Sequence, residues 1–230
     1  CVVSGEKLGA SVISSQAALS FGVGLCTMLM KSEKSIPYEI MSSSSLHVNT
    51  NAIAMGMGLG EAFSDSELED IVASDIPKIC DADIFYKDII ITILKQKNIV
   101  LTPHPKEFVA LLKKIELCDI SVAKLQKNRF KYVELFSKHY PHTVLLLKGA
   151  NVIITCSGKT YVNSYGTSSL AKGGSGDVLS GMIGALLAQG YTPLEATCSA
   201  SLAHSIASNN IKKNSYALLP QDIIKHISLL

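Results

Sequence analysis

The sequence predicts an α/β fold with a mostly parallel central sheet covered by helices on both faces. Three observations carry this expectation. Short apolar, often β-branched runs alternate with helix-period segments along most of the 230 residues. Glycine and proline punctuate the junctions between them. Only one stretch, "HTVLLLKGANVIITCSGKTYVNS", reads as consecutive strands, and it supplies an antiparallel hairpin.

The elements follow in order. "CVVS" is a buried strand running into a loop at Gly5. "GASVISSQAALSFGVG" has apolar and small residues at helical spacing and ends on Gly22 and Gly24. "LCTMLM" is a second short strand. "NAIAMGMGLG" is a strand broken by three alternating glycines. "SDSELEDIVASD" is an acidic-started helix, with Ser66 and Glu69 as capping-box partners. "KICDADIF" is a strand ending in acids. "YKDIIITILKQK" is assigned to helix by its length and flanks. "NIVLTPHPKEFVALLKK" is a strand, a stiff loop held by Pro103 and Pro105, then a helix. "SVAKLQKNRFKYVELFSKHY" reads as one long amphipathic helix. The hairpin turns at Ser157-Gly158. Val178, Leu179, Met182, Ile183, Leu186 and Leu187 form an apolar helical stripe that Gly190 ends. Thr192, Pro193 and Glu195 read as N-cap, N1 and N3 of the next helix. A short helix follows Pro220. There is no repeat, low-complexity tract or linker, so residues 1–230 are read as one domain.

Composition narrows the function. Apolar residues are 47% and charged residues 17%, enough for a sizeable core and unlike a disordered chain. The formal net charge is +2, with no strong field to attract nucleic acid or an anionic membrane. Basic residues in "KLQKNRFKYVELFSK" are interrupted by acids and apolar residues, as on a solvated helix face. None of the six cysteines has metal-finger or redox spacing, which suits a reducing cytoplasm. The most apolar windows are too short to cross a membrane. The chain starts at Cys1 without Met, so upstream sequence is expected.

In open α/β sheets, ligands collect at the carboxyl ends of the strands. Four loops qualify: after Val3–Ser4, at Gly56–Gly60, at Thr102–Pro105, and at Lys148–Gly149. A fifth place is the glycine-rich turn of "AKGGSGDVLSGM". Gly173, Gly174 and Gly176 allow close backbone approach, and the first N–H groups of the helix point outward unpaired, which makes an anion cradle. Asp177 beside it is either a first-turn acid favouring the helix dipole or a base that takes a proton from an attacking hydroxyl in phosphoryl transfer. Two decoys fall away. "SGKT" at Ser157–Thr160 has Ile153 where a P-loop needs glycine, and no helix follows. "GMGLG" lacks the dinucleotide spacing.

"LTPHPKEFVALL", "LLKGANVIIT" and "GTSSLAKGGSGDVLSGMIGALLAQG" together resemble the ADP-dependent NAD(P)H-hydrate dehydratases. "GASVISSQAALSFGVGL", "AMGMGLG" and "CDADIF" match earlier segments in the same order, so the resemblance covers nearly the whole chain. It implies a three-layer ribokinase-like sandwich. It implies ADP-dependent dehydration of the S epimer of NAD(P)H hydrate to NAD(P)H, with release of AMP and phosphate, and Mg²⁺ expected with the nucleotide. By position, Ala10, Gly58, His104 and Asp177 resemble the hydrate-contacting residues. Lys148, Gly149, Ala150, Asn151 and Val152 resemble the adenine-nucleotide site, together with Gly174, Ser175 and Gly176 of the turn. Asp177 is the expected catalytic base, and no residue is assigned to a metal. The resemblance also implies a cytoplasmic homo-oligomer and an accompanying N-terminal epimerase domain.

The chain departs from the family pattern in places. "NSYGTSSLAKGGSGD" stands where the family usually has "NPTGNPGLATGGSGD", which removes two prolines and places Lys172 before the turn. Met57 and Lys106 stand where proline and glycine are usual, and the "SGEKLGA" loop is short. The alternative reading is a sugar or vitamin-precursor kinase of the same fold, which uses Asp177 identically but releases a stable phosphorylated product. A nucleotide-binding protein without turnover is a third reading.

Overall fold

The computed structural model describes residues 1–32 and 34–230. Among the described residues nine strands form one sheet: β1 (Val2–Val3), β2 (Thr27–Leu29), β3 (Met41–Ser43), β4 (Ile53–Met55), β5 (Lys78–Cys80), β6 (Ile99–Leu101), β7 (Thr143–Leu147), β8 (Val152–Cys156) and β9 (Lys159–Asn163). Their spatial order is β3-β2-β1-β4-β5-β6-β7-β8-β9. The pairs from β3 to β7 are parallel, whereas β7-β8 and β8-β9 are antiparallel. The chain winds outward from β1 to β3, returns to β4 beside β1, and then winds the other way. The β1/β4 junction is therefore the switch point of the sheet, where a crevice opens at the carboxyl ends.

Successive strand residues point to opposite faces, and both faces are covered. Val2, Met28, Ala54, Ile79, Val100, Val144 and Leu146 meet α1 (Leu8–Ser20), α7 (Ser175–Ala188), α8 (Pro193–Asn210) and α9 (Pro220–Ile227). Val3, Leu29, Met55, Cys80, Leu101, Leu145 and Leu147 meet the other layer. That layer holds α2 (Asp65–Val72), α3 (Ile89–Ile93), α4 (Pro105–Lys114), α5 (Val122–Lys127) and α6 (Arg129–His139). The predicted apolar stripe of α7 is buried in full. α7 packs on α1 so closely that a Cβ added at Gly181 would lie 2.1 Å from the Ser14 carbonyl oxygen.

Three details depart from the sequence expectation. The capping box of α2 is Ser64 with Glu67, two residues before the predicted pair; the S-x-x-E pattern occurs twice, and the earlier copy starts the helix. The long helix predicted from Ser121 to Tyr140 is two helices broken at Asn128. Strand β3 has no apolar signature, since "MSS" is an exposed edge that pairs only with β2. The hairpin at Ser157-Gly158 is as expected, both residues having positive φ, as a tight two-residue turn requires. The box at Thr192 and Glu195 and the α9 start at Pro220 also stand as predicted.

Candidate active site

Parallel pairing brings the carboxyl ends of β1, β4, β5, β6 and β7 to one edge of the sheet. α1 and α4 start there, directly after β1 and β6, and α7 starts beside Lys148 and Asp81. Each helix presents its positive end to the edge.

At the switch point, the three glycines after β4 all have positive φ, and Gly58 lies at +62°. A Cβ on Gly58 would come within 2.7 Å of Lys7 and 3.2 Å of the Ala10 Cβ. The Lys7 amide donates to the Gly58 carbonyl at 3.0 Å. Ala10 and Gly58 are thus brought into contact, and small side chains at both keep the floor of the crevice low.

Lys148 directly follows β7, and its amide donates to Pro103 O at 2.9 Å. This ties the stiff proline loop to the nucleotide-like segment. Gly149 follows with φ +152°, and the α6 residue Arg129 donates to Leu147 O and Lys148 O across that turn. Ala150 and Asn151 are exposed and Val152 opens β8. The Ala150 carbonyl oxygen approaches within 3.4 Å of the Cβ position on Gly166, so the turn faces the loop from Ser164 to Lys172. That loop has lost its expected prolines but is pinned by side chains. Asn163 donates to Ser201 O, Ser201 Oγ and Ser205 Oγ, Asn209 donates to Tyr165 O, and Lys172 donates to Tyr216 O.

The glycine-rich turn forms as predicted. Gly174 is the N-cap of α7 at φ +89°, and Ser175 is the first helical residue. A Cβ on Gly174 would strike Pro220 at 2.4 Å, and one on Gly176 would lie 3.0 Å from Lys148 Nζ. Close approach and a positive φ together demand glycine at position 174, whereas at 176 a side chain would push the Lys148 ammonium away from the turn. Behind the turn, the buried His204 meets Ser175 Oγ at 3.3 Å; burial first, then Lys148, lowers its pKa to about 4, so the ring is neutral.

Asp177 sits in the first turn of α7. Burial, then the Asp81 carboxylate, raises its pKa to about 6; Lys148 opposes the rise and Asp83 adds to it. Among the described residues no hydrogen bond reaches its carboxylate. A carboxylate this basic, near a cation and an anion cradle, is fit to accept a proton near neutral pH.

His104 is placed differently from a simple ligand. It is the N-cap of α4: its Nδ1 accepts from the Lys106 and Glu107 amides at 3.1 and 3.2 Å. Its Nε2 lies 3.1 Å from Glu107 Oε1, and its own amide donates to Glu107 Oε2 at 2.7 Å. Burial, then Lys148, lowers the His104 pKa, while burial raises that of Glu107 to about 7. The contact is thus a hydrogen bond between weakly charged partners, and the side chain presents its half-exposed ring edge to the cleft.

Sequence reasoning missed Asp81, Ser180 and Glu107. Asp81 is 1% exposed at the end of β5. Its Oδ1 accepts from Lys148 Nζ at 2.6 Å and from the Ala82 amide at 2.9 Å, and its Oδ2 accepts from Ser180 Oγ at 2.8 Å. The acid-ended strand "CDADIF" was a usable signal, because β5 ends on the same edge as the four loops that were singled out. The cleft therefore joins Lys148, Gly176, Asp81 and Asp177 at one point, with Ala10 and Gly58 at the neighbouring switch point.

Comparison with known proteins agrees. A family model described as NAD(P)H-hydrate dehydratase matches residues 1–229. The chain is 40% identical, over its whole length, to the bifunctional NAD(P)H-hydrate repair enzyme Nnr of Helicobacter pylori, and spans 49% of that protein. It thus covers about half the length of this relative. The Bacillus subtilis ADP/ATP-dependent NAD(P)H-hydrate dehydratase, co-crystallised with ATP/Mg²⁺ and soaked with CoA, superposes with a TM-score of 0.81. The match is 25% identical and covers 98% of this chain and 88% of that one. A ribokinase-like superfamily protein of Enterococcus faecalis, 20% identical with a TM-score of 0.79, covers 99% of this chain and 84% of its own, and shares the fold. With a nine-stranded sandwich of this order and a family match over almost every residue, the chain belongs to the NAD(P)H-hydrate dehydratase family.

Proposed function

We propose that this chain dehydrates the S epimer of NAD(P)H hydrate to NAD(P)H, with ADP as phosphoryl donor and AMP and phosphate as the other products. The observation that carries this reading is Asp177, a carboxylate held at about 6 at the mouth of a glycine-lined helix N-terminus, with Lys148 Nζ beside Gly176. Hydroxide is a poor leaving group. Asp177 accepts the ring hydroxyl's proton as its oxygen attacks the β-phosphorus of ADP, and the bond to AMP breaks. The ring nitrogen's lone pair then expels phosphate, and loss of a proton from the adjacent carbon restores the double bond. The N–H groups at Gly174–Gly176 and the Lys148 ammonium hold the charge on the transferred group. General-base assistance of this kind is worth roughly 10²–10⁴ in rate.

Ala10 and Gly58 shape the floor on which the nicotinamide rests, and the half-exposed edge of His104 borders it. The turn Lys148–Val152 and the facing Gly166 hold the adenine nucleotide. Mg²⁺ is expected with the nucleotide. Among the described residues no group of three His, Cys, Asp or Glu side chains is placed to hold a metal ion. No helix among the described residues is long and apolar enough to cross a membrane. We also propose one domain for residues 1–230, a homo-oligomeric state and a cytoplasmic location. An accompanying epimerase domain belongs to the same reading, supported by the bifunctional relative of about twice this length.

The test mixes the protein with NADH hydrate and ADP and follows the absorbance of reduced nicotinamide. Recovery that is lost in Asp177→Asn supports the reading. No recovery with ADP or ATP overturns it. A stable phosphorylated product from another alcohol assigns the chain to a kinase, and binding without turnover to a sensor.

A further inference from the structure

The Lys148 ammonium lies beside the first turn of α7, yet a lysine on four methylenes has no fixed place of its own. Here it has one. Asp81 takes its Nζ at 2.6 Å, and the carboxylate is itself held by Ser180 Oγ and the Ala82 amide. Those partners come from three places: the end of β7, the second turn of α7, and the 3-10 turn Ala82–Tyr86 that follows β5. The main chain of Asp81 is held as well: its amide donates to Met55 O at 3.0 Å and its carbonyl accepts from the Ile84 amide at 3.2 Å. Ser180 is one turn beyond Asp177 on the same helix. The carboxylate thus fastens the cation to the helix that carries the proposed base.

We propose that Asp81 is a positioning residue: it holds the Lys148 ammonium against the first turn of α7, where the transferred phosphoryl group is to sit, so that the cation and the Asp177 base keep one geometry. The proposal rests on the phosphoryl-transfer reading above. Asp81 uses one of the three ammonium hydrogens, leaving two for phosphate oxygens. The Cβ-free surface of Gly176 lets the ammonium lie beside the helix N–H groups that face the same anion. A purely structural ion pair needs no such opening, since a buried pair adds little net stability.

The charges facing the pair are few. Asp177 faces Asp81, Asp83 and Lys148, while Lys148 also faces Glu107, His104 and His204. Removing the Asp81 charge takes away a carboxylate that raises the Asp177 pKa and leaves Lys148, which lowers it. The Asp177 midpoint must then fall. That fall follows from the lost charge alone; kcat at constant hydrate KM, together with ADP affinity, is what separates positioning from a merely structural role.

The experiment compares Asp81→Asn with the wild-type chain in two ways. Carboxyl ¹³C NMR follows the Asp177 titration without substrate, and steady-state kinetics follow NADH recovery. The expected results are a midpoint lowered from about 6 by about one pH unit, kcat lower by roughly 10²-fold, and a hydrate KM within about twofold. A kcat at the wild-type value overturns the proposal, even if the midpoint falls or the variant melts earlier. Should Asp81→Asn fail to fold, Ser180→Ala removes one partner and keeps the charge. Its kcat should fall several-fold at constant hydrate KM, and an unchanged kcat overturns the proposal. If wild-type protein recovers no NADH with ADP or ATP, the functional reading fails. ADP affinity, which Asp81→Asn should weaken roughly tenfold, then still decides the role of Asp81, and an unmoved affinity overturns it.

Discussion

Replacing Asp177 by asparagine should destroy turnover and make the protein more stable. The carboxyl binds its proton more tightly in the folded chain, about 6 against an ordinary 3.8. Between those values the folded state holds more protons, so this group's contribution falls as pH rises, and the penalty is complete above about pH 6. At about 1.4 kcal/mol per pH unit the displacement is worth about 3 kcal/mol. The cleft opens to water, and screening leaves about 1–2 kcal/mol. Urea unfolding of both proteins at about pH 8 and about pH 4 measures it. Asp177→Asn should be the more stable at pH 8, by about 1–2 kcal/mol or roughly 2–8 °C in Tm, and the two should converge near pH 4. A variant less stable than wild type at pH 8, or a difference unchanged at pH 4, would refute the assignment of Asp177 as a half-buried carboxylate kept for chemistry.

Four other outcomes follow from the geometry. Gly176→Ala puts a Cβ 3.0 Å from Lys148 Nζ, so ADP-dependent recovery should drop at least about tenfold, while thermal melts show a helix as stable as before or better. Gly181→Ala drives a Cβ against the Ser14 carbonyl oxygen, which is backbone and cannot swing away; denaturant titration should show a loss of about 1–3 kcal/mol. Asn163→Ala removes the donor that reaches Ser201 and Ser205, so kinetics should show a raised nucleotide KM with the hydrate KM unmoved, at a cost of about 1–3 kcal/mol in unfolding. The neutral, buried His204 at about 4 against an ordinary 6.5 makes stability fall as pH drops through that window, by up to about 3 kcal/mol; urea midpoints against pH should show that acid limb, and His204→Gln should flatten it.

Much of the sheet was legible because its strands are apolar on both faces, and α8 was legible from Thr192, Pro193 and Glu195. The break at Asn128 was not. The apolar period runs on through it, and what ends α5 is tertiary: Arg129 turns back to the carbonyls of Leu147 and Lys148. Strand β3 was invisible because an edge paired on one side needs no apolar code. In the site, the glycine turn and Asp177 could be read because they are contiguous. Asp81 could not be weighed from sequence, since its meaning lies in Lys148, 67 residues further on. The capping role of His104 is not legible either, since histidine is no usual N-cap, yet both of its ring nitrogens bond locally at the start of α4.

Pro220 stands 2.4 Å from the Cβ position on Gly174, at the start of α9. The anion cradle therefore has its back wall in α9, 46 residues along the chain from the glycine that leans on it. Anything that loosens the docking of α9 on α1, α7 and α8 reaches the cradle through Pro220, without touching the proposed base, the lysine or the glycines.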